Sequence, residues 1–279
     1  MMRAPVNKII PFSAVDGPGN RTAIFVQGCS FNCRYCHNPE TIRPCVHCGA
    51  CLEVCPTGAL YAKDGKVCYE IAKCAFCDAC IKRCPNFSSP RIRMMTAEEV
   101  MGEVRRNEPF VRGITVSGGE CTQQRDFLIE LAALARADGL NVLLDSNGSH
   151  DFSGDTVLTE AIDGVMLDVK AWDADEHVRL TDCDNLCVLK NLRFLAQIGK
   201  LEEVRTVSVP DMMDAKETVR NVCRLLRECG AEGVRYKLIR FRPMGVREAF
   251  RSLRSPTDEE MRELEAIAHE MGILNTVLI

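Results

Sequence analysis

The sequence predicts an α/β protein on a parallel sheet, open or curled into a full or partial barrel, with a small metal-bound insert near its start. Three observations carry this. Strand-like runs alternate with helical patterns over most of the 279 residues, as expected for parallel strands joined by crossover helices. Twelve of the seventeen cysteines crowd between Cys29 and Cys84. The segment holding most of them is short and turn-rich, too small for a large core of its own, so metal must hold it.

In chain order, strands are expected at Arg21–Gln27, Gly113–Val116, Asn141–Asp145, Gly164–Lys170, Glu203–Val209 and Arg235–Phe241. Helices are expected at Ala97–Arg106, Arg125–Ala137, Gly154–Ala161, Leu186–Ile198, Ala215–Glu228 and Thr257–Glu270. Pro256 and the acids Asp258, Glu259 and Glu260 mark the last helix start. In such sheets functional groups gather at the C-terminal strand ends. Because a strand precedes the cysteine-rich segment, that segment reads as an insert. The expected domains are 1–39 (barrel start), 40–90 (insert) and 91–279 (remainder of the barrel).

Composition narrows the function. With 46% hydrophobic and 27% charged residues the chain is globular, and a net charge of −4 argues against a nucleic-acid partner. No apolar run reaches the roughly 18–20 residues of a membrane span, and the first residues lack a signal-peptide core. A cytoplasmic location is expected. Thiols stay reduced there, so metal ligation is the leading use of the cysteines.

Cys45, Cys48, Cys51 and Cys55-Pro56 repeat the spacing of Cys74, Cys77, Cys80 and Cys84-Pro85. Both runs match the bacterial ferredoxin pattern for two [4Fe–4S] clusters, in which the fourth cysteine of each run serves the other cluster. One cluster takes Cys45, Cys48, Cys51 and Cys84; the other takes Cys74, Cys77, Cys80 and Cys55. Zinc, the alternative, uses two pairs across a longer loop rather than triplets. Cys68, Cys121, Cys183, Cys187, Cys223 and Cys229 fit no metal pattern, and His47, His150, His177 and His269 have no ligand spacing.

Ahead of the insert stands a separate CxxxCxxC: Cys29, Cys33 and Cys36. Three thiolates on a four-iron cluster leave one iron without a protein ligand, free to bind a small cofactor. Radical chemistry is commonly delegated to such a cofactor.

The run Asp16-Gly-Pro-Gly-Asn-Arg21, with Phe25, Gln27-Gly-Cys29, Cys33, Tyr35-Cys-His-Asn-Pro39, resembles the radical S-adenosylmethionine (SAM) superfamily and within it the glycyl radical enzyme activating enzymes. The segment from Lys8 to Gly19 is similar to the YjjW-type branch, and the insert position is that of three-cluster activases. The resemblance implies a partial (β/α)6 barrel, three [4Fe–4S] clusters, SAM, and a monovalent cation. Further implied are a cognate glycyl radical enzyme as protein substrate, a flavodoxin- or ferredoxin-type reductant, an anaerobic setting and a monomer. Electrons would pass through the insert to the Cys29/Cys33/Cys36 cluster. Cleaved SAM would then take a hydrogen atom from one glycine of the partner.

The same resemblance assigns residues. Gly118-Gly119-Glu120 would hold the SAM amino group; an isolated GGE is otherwise only a turn. Tyr35 would pack on the adenine, with His37 and Asn38 near cluster and cofactor. Asp168 and Lys170 share a strand face; they would line the SAM site, or simply pair. Asp145, Ser146, Met166 and Asp168 match a monovalent-cation site. Asp173 and Asp175, in a loop, would contact SAM, and Arg205 would reach its carboxylate. Arg242 stands where relatives often carry histidine, and its fork suits a carboxylate or a partner peptide. Asp16 would contact the substrate backbone. Seven bases and one acid from Arg235 to Arg254 suggest a docking surface or a solvated face. The rival functions are a radical SAM enzyme acting on a small molecule or another peptide, and an iron–sulfur electron carrier.

Overall fold

The computed structural model describes residues 2–279. Its eleven strands are β1 Arg3–Ser13, β2 Arg21–Val26, β3 Leu60–Lys63, β4 Lys66–Tyr69, β5 Arg93–Thr96, β6 Gly113–Gly118, β7 Asn141–Ser146, β8 Gly164–Asp168, β9 Leu201–Ser208, β10 Arg235–Arg240 and β11 Thr276–Leu278. The helices are α1 Ala79–Arg83, α2 Ala97–Val104, α3 Arg125–Ala137, α4 Thr156–Ala161, α5 Ala174–Thr181, α6 Leu186–Gln197, α7 Ala215–Glu228 and α8 Asp258–Glu270.

Nine strands form one sheet in the order β5-β1-β2-β6-β7-β8-β9-β10-β11. The six expected strands are its parallel centre, β2 to β10. Flat, that run would hold β2 and β10 about 24 Å apart, five spacings of about 4.8 Å. Yet Lys237 Nζ on β10 lies 3.4 Å from the Val15 carbonyl ahead of β2. His37, following β2, lies 2.9 Å from the carbonyl of Arg242, following β10. The sheet therefore curls into a partial barrel.

Its edges were not foreseen. β1 and β5 add antiparallel at one side, and β11 adds parallel at the other. Pro5 and Pro11 hide β1, because proline lacks the ladder donor and argues against a strand. The helices followed their apolar stripes more closely. α3 buries Phe127, Leu128, Leu131, Ala132 and Ala135 on one face. Thr257 is not the first helical residue but the N-cap of α8, in a capping box with Glu260. Among the described residues no helix is long and apolar enough to cross a membrane.

Between β2 and β5 the chain builds a small unit with its own packing of Cys51, Leu60, Val67 and Cys80, separate from the main core. β3 and β4 form a hairpin whose Asp64-Gly65 turn has both φ angles positive, the twist that two-residue hairpins favour. The unit is fastened to the barrel beside β2. Buried Gln27 donates from Nε2 to the carbonyls of Glu40 and Arg43, and Gly28 and Cys29 donate backbone N–H to Thr41 and Ile42.

Candidate functional site: a three-cysteine loop and two four-cysteine cavities

The insert has two cavities lined by four cysteines each. One is walled by Cys45, Cys48, Cys51 and Cys84; the other by Cys55, Cys74, Cys77 and Cys80. The fourth cysteine of each run has crossed to the other cavity. Both halves share one backbone pattern. The second residue after the first cysteine is left-handed (His47 φ 56°, Phe76 φ 52°), as is the residue after the second (Gly49 79°, Asp78 59°) and the third after the fourth (Gly58 65°, Phe87 50°). A left-handed non-glycine residue costs on the order of 1–3 kcal/mol. His47, Phe76, Asp78 and Phe87 carry that strain, and the turns aim amides inward: His47 N–H reaches Cys45 Sγ, Phe76 N–H reaches Cys74 Sγ and Ser88 N–H reaches Cys84 Sγ, each at 3.4 Å. Among the described residues no three histidine, cysteine or acidic side chains close on a single-ion site.

Cys29, Cys33 and Cys36 lie on the loop leaving the C-terminal end of β2. α5, a helix where a loop is expected around Asp173 and Asp175, holds one side of it. Helix C-termini leave carbonyls unpaired; here those of Thr181 and Leu180 accept the N–H groups of Asn32 and Arg34, both at 2.9 Å. Asp173 caps α5 by accepting the Glu176 N–H at 2.9 Å, and Asp175 lies exposed in the first turn. Replacing Asp173 with alanine should cost about 1 kcal/mol in anaerobic urea unfolding of the reconstituted protein. Cys33 is buried, and burial pushes its thiol up to about 12 against the favourable charge of Lys170. Asn147 Nδ2 lies 3.5 Å from Cys29 Sγ.

Behind the loop, Tyr35 is buried with its hydroxyl unpartnered, and Lys170 Nζ stands 5.8 Å over its ring. Lys170 pairs with Asp168 at 2.5 Å, the bland alternative from the sequence, but does so beside the triplet. His37 stacks on Phe241 with centroids 6.2 Å apart, and Asn38 is exposed ahead of the Pro39–Thr41 turn.

Gly118 and Gly119 permit close backbone approach, toward the chain itself. A Cβ at Gly118 would stand 2.2 Å from the Val26 carbonyl, and one at Gly119 would stand 2.1 Å from the Gly28 carbonyl. Glu120 is buried, and its carboxylate accepts from Thr122 N–H and Oγ1, Ser146 Oγ and Asn147 N–H between 2.7 and 3.1 Å. Burial raises its pKa, and these four donors oppose the rise.

The expected cation site is not assembled as a set. Asp145 binds Arg205 Nη1 at 2.8 Å and Ser117 at 2.9 Å, Asp168 binds Lys170, and Ser146 is turned to Glu120. Successive strand residues point to opposite faces, which separates Ser146 from Asp145. Arg205 also reaches Glu203 at 2.5 Å and Met166 Sδ at 3.1 Å, so its fork is engaged within the protein. Asp16 lies at the opposite, N-terminal end of the strands, bonded to Ser13 at 2.5 Å, with its carbonyl accepting from Thr115. The Arg242 side chain is exposed in a surface cleft with Asp258 and Arg262, and only its carbonyl meets the triplet loop.

The basic run from Arg235 to Arg254 is not a bare positive surface. Arg235 and Lys237 turn inward to Glu203, Arg240 pairs with Asp258, and Arg254 pairs with Asp211 and Glu260. Its counter-charges are Glu203 and Asp211, which precede the run in the chain, and Asp258 and Glu260, which follow just after it.

A family profile described as a 4Fe-4S single cluster domain matches residues 15–176. A Haemophilus influenzae protein, provisionally described as a glycyl-radical enzyme activating enzyme, is 31% identical over 96% of this chain and 94% of its own. The chain belongs to the glycyl-radical enzyme activating enzymes. The pyruvate formate-lyase-activating enzyme of Streptococcus mutans is 29% identical over 95% of this chain and 90% of its own. QueE from Escherichia coli shares the fold, with a TM-score of 0.58 and 12% identity over all of this chain and 95% of that one. This activating enzyme is thus a radical SAM enzyme that uses an iron–sulfur cluster and SAM to activate a partner enzyme.

Several participants escaped the sequence reading. Glu203, 1% exposed, faces Arg205, Arg235 and Lys237 inside the barrel. The available signal was parity: Glu203 and Arg205, like Arg235 and Lys237, are two apart on adjacent strands. Arg247 gave no such signal.

Proposed function

We propose that this activating enzyme holds three [4Fe–4S] clusters and one SAM, and that it installs a glycyl radical on its partner enzyme. The carrying observation is the crossed partition of cysteines: two cavities of four, and a separate loop of three beside the unpartnered Tyr35 hydroxyl. Cys29, Cys33 and Cys36 would bind the cluster that holds SAM, and the two insert sets would bind the others. Once loaded, the site supplies reductive cleavage of the SAM sulfonium and abstraction of a glycine Cα hydrogen. Tyr35 and the Asp168–Lys170 pair wall the space behind the triplet, while Gly118 and Gly119 hold the β6 loop tightly against Val26–Gly28. Glu120 braces that loop against Ser146 and Asn147, leaving the backbone of Gly118–Glu120 as the group to meet the cofactor. The insert would take electrons from a flavodoxin- or ferredoxin-type donor.

The test is anaerobic reconstitution with reductant, SAM and candidate glycyl radical enzymes, followed by electron paramagnetic resonance. A glycyl doublet on the cognate partner is expected; SAM cleavage without that doublet on any candidate overturns the assignment. Iron analysis should give about twelve irons per chain. About four would leave only one cluster, and stoichiometric zinc would remove the insert clusters from the proposal.

A further inference from the structure

The loop after β10 returns across the mouth of the barrel, and one side chain in it closes on the three-cysteine loop. Arg247 donates from Nη1 to Asn32 Oδ1 at 2.8 Å, and from Nη2 to the carbonyls of Asn32 at 3.0 Å and Cys33 at 2.9 Å. Its guanidinium lies 5.2 Å over the Phe250 ring, and Arg34, inside the cysteine motif, lies 5.5 Å from the same ring. Gly245 permits the crossing, since a Cβ there would stand 2.8 Å from the His37 carbonyl.

The fork is incomplete in two respects. Arg247 Nε is buried without a partner, and among the described residues no carboxylate forms a salt bridge with Arg247. A part-buried cation without a counter-charge is disfavoured. Arg247 Nη2 sits on the carbonyl of Cys33, one of the three cysteines. As cluster ligands those cysteines are thiolates, so a loaded site brings near Arg247 the negative charge that the protein's carboxylates do not.

We propose that Arg247 is a positioning residue for the Cys29/Cys33/Cys36 site, whose fork fixes the loop and whose charge holds the bound cluster's reduction potential up. This rests on the assignment of that loop to the SAM-binding cluster. Nearby net charge and hydrogen bonding set cluster potentials. Removing a positive charge disfavours the electron-rich state, so the potential should fall.

The experiment uses the full chain, reconstituted anaerobically with iron and sulfide. A redox titration follows the paramagnetic resonance signal whose shape changes when SAM is added. If the unsubstituted protein shows no SAM-responsive signal, the loop assignment itself fails, whatever Arg247 does. With that signal present, Arg247→Gln should keep about twelve irons and shift the midpoint to more negative potential. Arg247→Lys should keep the unsubstituted value. An unshifted Arg247→Gln, or a lysine variant that shifts as far as the glutamine, overturns the proposal. Should Arg247→Gln lose the triplet's iron, the lysine variant decides. Iron and potential both retained support the role of charge; iron lost there too assigns Arg247 to folding alone and overturns it.

Discussion

Replacing Cys29 with alanine should abolish SAM cleavage and lower the iron content from about twelve to about eight per chain. The loss should be confined to one cluster because the insert has its own packing, Cys51, Leu60, Val67 and Cys80, apart from the barrel core. Its eight cysteines line two cavities that Cys29 does not reach. Two thiolates on a loop do not hold a cluster that already has one ligand fewer than the usual four. The checks are iron analysis, the resonance signals of the insert clusters, and 5′-deoxyadenosine released under reductant. Loss of all iron would contradict this partition, and continued SAM cleavage would remove Cys29 from the site.

The second large effect is expected at Gly119. Alanine there would place a Cβ 2.1 Å from the Gly28 carbonyl oxygen and 2.8 Å from that of Thr41. No flexible side chain is available to move, since both neighbours are backbone. Gly28 precedes Cys29, and its carbonyl also accepts the Glu120 N–H at 2.7 Å. The clash therefore displaces the start of the cysteine loop and loosens the Glu120 brace together. A cost above about 3 kcal/mol is expected, with the triplet's iron lost while the insert clusters assemble. Gly102, in α2, provides the control: a Cβ there meets nothing within 4 Å. Alanine at Gly102 should stabilise the protein by about 0.4–1 kcal/mol, because it restricts the unfolded chain. Thermal or urea unfolding of both variants, with iron analysis, tests the pair; equal effects would contradict the close-approach argument.

Much of the fold was legible because its signals are local. The β-then-α rhythm placed the six central parallel strands, and the spacing of α3 and α7 gave both ends of those helices. α5 was missed: it is only eight residues long, and its role lies in the carbonyls it offers Asn32 and Arg34. β1 and β5 were missed because a strand recruited by a neighbouring edge needs little signal of its own.

Cysteine spacing alone divided the seventeen into three, eight and six, since a four-iron site needs closely set thiolates whatever the surrounding fold. Tertiary structure decided what stands around them. Charge runs are one-dimensional, whereas Coulomb pairing is three-dimensional, so the basic run from Arg235 to Arg254 acquired its acids from Glu203, Asp211, Asp258 and Glu260. Likewise Asp145 and Arg205 lie sixty residues apart, and only the register of β7, β8 and β9 brings them together at 2.8 Å. Arg247 comes more than two hundred residues after the loop it clamps. No spacing rule reaches that far; closing the barrel does.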